Sequence, residues 1–175
     1  MIRSKKICML GDPGVGKTSL VRRFVLGEFS ETYRATLGVN IYKYIHESAG
    51  PDGTETINLV IWDIEGAIEE NRKLDSYLRG SAGTLIVGDV TREDHAESLN
   101  AYAERFQSMQ PGRPIVLAVN KSDLIDGVDV RPSAGASQEL AERLGTVLVP
   151  TSAASGDGVT TLFQNLANRI MTVGA

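Results

Sequence analysis

Apolar positions along the chain follow two periods, and each change of period marks an element. Ile7 to Leu10 form a short continuous apolar run that predicts a strand. Leu20, Val21, Phe24 and Val25 then recur at helical spacing and predict a helix, whereas residues 27–36 have little periodicity and predict a loop. Val39 to Glu47 and Thr56 to Asp63 are rich in β-branched and aromatic residues. Ala49-Gly50-Pro51-Asp52-Gly53 supplies turn chemistry between them, so the pair predicts an antiparallel hairpin. Glu69 to Leu78 predicts a short polar helix, ended by Gly80 to Gly83 before the buried-type strand Thr84 to Val87. Asp94 to Met109 predicts a longer helix, broken by Pro111-Gly112-Arg113-Pro114, and Ile115 to Val119 a strand buried on both faces. Ser137 to Leu144 reads as a helix closed by Gly145, and Thr146 to Val149 as a last strand. Leu162, Leu166 and Ile170, four residues apart, mark a final amphipathic helix.

This alternation predicts an α/β fold: an open, mostly parallel six-stranded sheet with one antiparallel edge strand and helices on both faces. No repeat or linker interrupts it, so residues 1–175 read as one domain. Ligands of such sheets bind beyond the carboxyl ends of the strands. Four segments fall there: Gly11 to Thr18, Asp63, Asn120, and Thr151-Ser152-Ala153.

The chain has 175 residues, 42% apolar and 23% charged, enough for a sizeable core. A net charge of −4 argues against nucleic-acid or anionic-membrane binding as the main role. Cys8 is the single cysteine and lies inside the first apolar run. It therefore predicts packing in a reducing compartment, with no disulfide framework or cysteine metal site. The charged N-terminal residues precede an apolar run too short for a signal peptide or spanning helix, which predicts a cytoplasmic protein. Ile170 to Ala175 contain neither a cysteine for prenylation nor a polybasic run, so no direct lipid anchor is expected.

Gly11-Asp12-Pro13-Gly14-Val15-Gly16-Lys17-Thr18 has the Gly-x-x-x-x-Gly-Lys-Thr spacing of a P-loop, set between a strand and a helix. This is the mark of a P-loop NTPase. Pro13, Gly14, Val15, Gly16, Lys17, Thr18 and Ser19 are the expected phosphate cradle, because backbone N–H groups and the helix N-terminus attract anions. Lys17 would neutralise β/γ-phosphate charge, and Thr18 would bind Mg²⁺. Asp63 ends an apolar strand, either as a carboxylate holding Mg²⁺ through water or as a turn aspartate; the upstream P-loop favours the metal role. Asn120-Lys121-Ser122-Asp123 follows a buried strand. A carboxylate at Asp123 can accept both N1–H and the exocyclic N2–H of guanine, a donor pair adenine lacks. Asn120 would pair with guanine N7 or tie neighbouring loops together, and the Lys121 stem would cover the base. His46 and His95 read as surface residues, and no histidine general base is expected.

With these motifs in place, the chain resembles a small GTPase of the Ras superfamily, closest in pattern to the Rab branch, over nearly its whole length. Thr36-Leu37-Gly38-Val39 resembles the effector-loop threonine segment of that family, Trp62-Asp63-Ile64-Glu65-Gly66 its third motif and Thr151-Ser152-Ala153 its fifth. The resemblance implies a GTP/GDP switch in which Thr36 senses γ-phosphate and Mg²⁺. It also implies that Phe29 packs edge-on against guanine, that the Ser152 and Ala153 amides read guanine O6, and that the Gly66 amide bonds the γ-phosphate. An effector reading the loops around Thr36 and Gly66, with activating and exchange factors, is implied as well. Leu37, Val39, Ile41 and Trp62 are either effector-facing or core.

Three positions depart from the family pattern. Ala67 stands where the water-positioning glutamine is usual, and it has no polar atom for that task, so slow intrinsic turnover is expected. Pro13 removes an amide from the P-loop, and Ala154 stands where a lysine is common, which removes one cover over the guanine. Glu65, Glu69 or Glu70 could position water, but a partner-supplied group is preferred because a carboxylate repels the γ-phosphate. The alternative is a hydrolysis-deficient binding module that keeps nucleotide mainly for stability. A nucleotide kinase or ATPase is disfavoured by the Asn-Lys-x-Asp signal and by the lack of an arginine-rich lid.

Overall fold

The alternating side chains of β1 (Arg3–Leu10) divide between two apolar layers. Ile7 and Met9 join one core cluster, Cys8 and Leu10 the other, because successive residues of a strand point to opposite faces. The first layer is closed by Leu20 and Val21 of α1 (Lys17–Leu26) and by Leu162, Phe163, Leu166 and Ile170 of α5 (Val159–Val173). The second is closed by Leu74 and Leu78 of α2 (Arg72–Leu78), by Leu99, Tyr102 and Phe106 of α3 (His95–Met109) and by Leu140 of α4 (Pro132–Arg143). The expected helices on both faces are thus present. The computed structural model describes residues 3–31, 38–50, 53–64, 66, 72–125 and 132–173.

The remaining strands are β2 (Val39–Gly50), β3 (Gly53–Ile64), β4 (Gly83–Asp89), β5 (Ile115–Asn120) and β6 (Leu148–Pro150). They form a six-stranded sheet in the order β2-β3-β1-β4-β5-β6, with β2 antiparallel to β3 and every other pairing parallel. All residues of β4 and β5 are buried, which explains the apolar runs Leu85–Val87 and Ile115–Val119 within them. Strand order reverses about β1, so the carboxyl ends of β1, β3, β4 and β5 converge on one end of the sheet.

Several boundaries differ from the sequence expectation. The β2–β3 ladder continues to Gly50↔Gly53, past the polar residues Ser48 and Glu55, because backbone pairing does not require apolar side chains. Helix α4 starts at Pro132, five positions before the expected Ser137, with the proline at the first helical position, where its missing N–H is harmless. The last strand is Leu148–Pro150, displaced from Thr146–Val149. Residues 67–71, including the expected start of α2, lie outside the described residues.

Both histidines are buried, contrary to their reading as surface residues. His46 shares the inward parity of Tyr42 and Tyr44 on β2, and its Nε2 lies 3.1 Å from Asn168 Oδ1 on α5. His95, in the first turn of α3, has Nδ1 at 2.7 Å from Arg92 O. Cys8 is buried as expected, with Sγ 3.0 Å from Ser81 Oγ, and burial raises its thiol to about 11.

Candidate functional site

A cavity of about 740 Å³ opens at the carboxyl ends of the strands. Pro13, Gly14, Gly16, Lys17, Thr18, Ser19 and Gly66 line one end of it; Phe29, Asn120, Lys121, Asp123, Ala153 and Ala154 line the other. Val15 and Ser152 stand behind the wall, and Thr36 lies outside the described residues. Asp63 does not line the cavity but bonds to Thr18, which does; the remaining sequence-predicted residues meet in one pocket, although 141 positions separate Pro13 from Ala154.

At the phosphate-loop end, Lys17 Nζ donates to Gly11 O at 2.7 Å and to Asp12 O at 2.9 Å, so the ammonium bridges the loop from beneath. Burial lowers its pKa to about 8, against the pull of Asp63 and Asp12. Thr18 Oγ1 donates to Asp63 Oδ2 at 2.6 Å. Asp63 is fully buried, and burial raises its carboxyl above the ordinary range against the Thr18 hydroxyl and Lys17. Its other oxygen, Oδ1, has no hydrogen-bond partner among the described residues. A buried carboxylate with an open oxygen beside a threonine hydroxyl suits a hard divalent cation that takes its other ligands from phosphate and water. Gly66 packs so closely that a Cβ there would overlap Gly11 O and meet Lys17 Nζ at 2.5 Å. Only glycine permits that approach.

The base end is braced by Asn120, whose side chain makes the loop tie expected as one of its two roles. Its Nδ2 donates to Val15 O at 3.0 Å; its Oδ1 accepts from Thr151 Oγ1 at 3.1 Å and from the Ala153 amide at 3.3 Å. The side chain is buried and ties the phosphate loop to both base loops. Gly16 has a φ of 101°, and a Cβ there would collide with Asn120 Nδ2, so this tie also fixes the glycine. Asp123 is exposed to the cavity, with Oδ1 accepting from Ser152 Oγ at 2.7 Å. Here the expectation for both amides needs correction: the Ser152 amide donates to Asp157 O at 2.9 Å and the Ala153 amide to Asn120 Oδ1, so each is engaged within the protein, and Ser152 contributes the hydroxyl that aims Asp123. Phe29 is 40% exposed at the cavity rim.

A second group escaped the sequence reading. Lys121 Nζ pairs with Asp89 Oδ2 at 2.6 Å; Asp89 Oδ1 accepts from the Thr91 amide and hydroxyl. Arg92 donates to Pro13 O at 2.8 Å, while Ser98 and Tyr102 of α3 donate to Asp12. The available signal was Asp89 itself, which ends a buried strand, much as Asp63 stands one residue before the end of β3.

Compared with known proteins, residues 6–172 match the Ras family. The chain is 35% identical over 175 residues to the mouse Ras-related protein Rab-31, covering 99% of this chain and 86% of that protein. It is 31% identical over 175 residues to the human Ras-related protein Rab-22A, at 99% and 87% coverage. With the Dictyostelium discoideum Ras-related protein RabC, identity is 34% over 168 residues, at 94% and 83%. The chain belongs to the Ras family. It is a Rab-like small GTPase with the expected P-loop GTPase sheet, and as such a GTP-binding switch. In this Rab-like GTPase the question over Val39, Ile41 and Trp62 divides. Val39 and Trp62 are partly buried against the second core layer, whereas Ile41, cross-strand from Trp62, is 52% exposed. Leu37 lies outside the described residues, and among these no helix is long and apolar enough to cross a membrane.

Proposed function

We propose that residues 1–175 form one GTP/GDP switch domain whose intrinsic hydrolysis is slow and whose turnover depends on an activating partner. The single observation that carries the nucleotide assignment is the Asn120 tie, which joins the phosphate loop, with Lys17 and the Asp63-bonded Thr18, to the base loops, with the Asp123 carboxylate, around one cavity. Asp123, aimed by Ser152, selects guanine; Lys121, Phe29, Ala153 and Ala154 enclose the base. Lys17 and the loop from Pro13 to Ser19 hold the phosphates. Thr18 and Asp63, with Thr36, would hold Mg²⁺, which supplies neutralisation of phosphate charge when bound. Gly66 and Thr36 respond to the γ-phosphate, and the loops around them, flanked by the exposed Ile41 and the Trp62–Tyr77 aromatic pair, face an effector. Exchange and activating factors and a cytoplasmic location complete the reading.

Slow turnover rests on Ala67, whose methyl group cannot orient an attacking water. The test is single-turnover hydrolysis of GTP preloaded with Mg²⁺, native against Ala67→Gln. A gain on the order of 10-fold or more is expected in the variant. Brisk native turnover that Ala67→Gln leaves unchanged overturns this account of Ala67. A chain that binds GTP tightly but stays inert both with the glutamine and with candidate activators is the structural-nucleotide module instead.

A further inference from the structure

The phosphate loop carries a defect and, outside its wall, a device that offsets it. Proline at position 13 has no N–H, so the loop offers one donor fewer to an anion than it would with any other residue there. The Pro13 carbonyl accepts from Arg92 Nη2 at 2.8 Å. Arg92 does not line the cavity, whereas Pro13 and Gly14 do, so the carbonyl is drawn away from the nucleotide side. A trans peptide carries its C=O and N–H on opposite edges, and no described peptide is cis. An outward Pro13 carbonyl therefore turns the Gly14 N–H inward, towards the phosphates.

We propose that Arg92, on the loop between β4 and α3, is a positioning residue for hydrolysis: by holding the Pro13 carbonyl outward it fixes the Gly14 amide in the phosphate cradle. The inference rests on the GTPase reading above and extends it to a residue outside the family motifs. The arginine is itself aimed. Its Nε lies 3.6 Å from Asp89 Oδ2, and Asp89 is locked in place by Thr91 at Oδ1 and by Lys121 at 2.6 Å on Oδ2. Asp89 is closer to Lys121 than to Arg92, so Lys121 takes most of its charge and Arg92 keeps part of its own facing the loop. The same carboxylate thus connects the base loop, through Lys121, to the phosphate loop, through Arg92. With its side chain 38% exposed, Arg92 is not a core residue, and its removal leaves no cavity.

The experiment compares Arg92→Ala and Arg92→Lys with the native protein and repeats the set in the Ala67→Gln background, where turnover is faster. Single-turnover GTP hydrolysis, dissociation of a fluorescent GDP and thermal unfolding are read in each. Arg92→Ala is expected to slow hydrolysis by about 10-fold while GDP dissociation changes by less than about 3-fold. Arg92→Lys, which keeps a cationic donor for the carbonyl, is expected to restore most of the rate. An unchanged rate in Arg92→Ala overturns the proposal. So does a parallel loss of rate, GDP retention and melting temperature that lysine does not rescue, since that is the signature of a brace for the fold. Failure of the native protein to bind GTP or GDP overturns the GTPase reading itself; bound GTP with no turnover in either background overturns the role of Arg92 in hydrolysis.

Discussion

The Asn120 tie sets a measurable value on the link between the two ends of the site. Asn120→Ala removes three hydrogen bonds, at 3.0, 3.1 and 3.3 Å, and leaves Val15 O, the Thr151 hydroxyl and the Ala153 amide short of a partner in a buried place. The two shorter bonds contribute about 1 kcal/mol each, and the stranded groups add about 1 more, so the loaded protein loses roughly 3 kcal/mol. For a chain of this length each kcal/mol moves the melting temperature by about 2–4 °C, which gives a fall of roughly 9 °C. Thermal unfolding at a fixed, saturating concentration of GDP and Mg²⁺ measures it. Because the tie joins the phosphate loop to the base loop, part of the loss shows in binding, and GDP is expected to dissociate at least about 10-fold faster. Thr151→Val removes one bond, and a double-mutant cycle with Asn120→Ala should show a coupling of about 1 kcal/mol. A melting temperature within about 2 °C of native, with GDP dissociation unchanged, would refute the reasoning, since 3 kcal/mol cannot hide in both readouts.

Two further outcomes follow from other parts of the site. Gly66→Ala cannot occupy the native position, because its Cβ would overlap Gly11 O and crowd Lys17; GTP hydrolysis should fall by about 10-fold or more, with GDP affinity within about 3-fold of native. Equal hydrolysis in the two proteins contradicts that packing. For Asp89, burial acts to raise the carboxyl, but the Lys121 and Thr91 hydrogen bonds outweigh it, and the folded value lies below the unfolded one of about 3.9. Its stabilisation is therefore present above the unfolded value and lost as pH falls through the folded one. The stability gap between native and Asp89→Asn should be widest near neutrality and narrow below about pH 4, as urea unfolding across pH would show; a gap independent of pH contradicts the pairing.

The sequence by itself determined the elements and the motif chemistry. Unbroken apolar runs at Leu85–Val87 and Ile115–Val119 could only be buried strands, and the glycine-lysine-threonine spacing after β1 needed no tertiary contact to be read, because local backbone requirements write themselves into residue type. The antiparallel edge was legible for the same reason, from the Gly-Pro-Asp-Gly turn between two β-rich runs. Tertiary structure decided what depends on facing partners. His46 lies on the inward face of β2 with Tyr42 and Tyr44, and α5 supplies Asn168 as its polar partner there. The loop tie of Asn120 became visible only with Val15 O, Thr151 and Ala153 around it. Arg92, Ser98 and Tyr102 carry no motif, yet they hold the phosphate loop across as many as 90 positions of sequence, with Asp89 beside Arg92. Spacing encodes what one segment does with its own backbone; the meeting of side chains from separate strands and helices is set by sheet order and helix packing, which no single stretch of the chain contains.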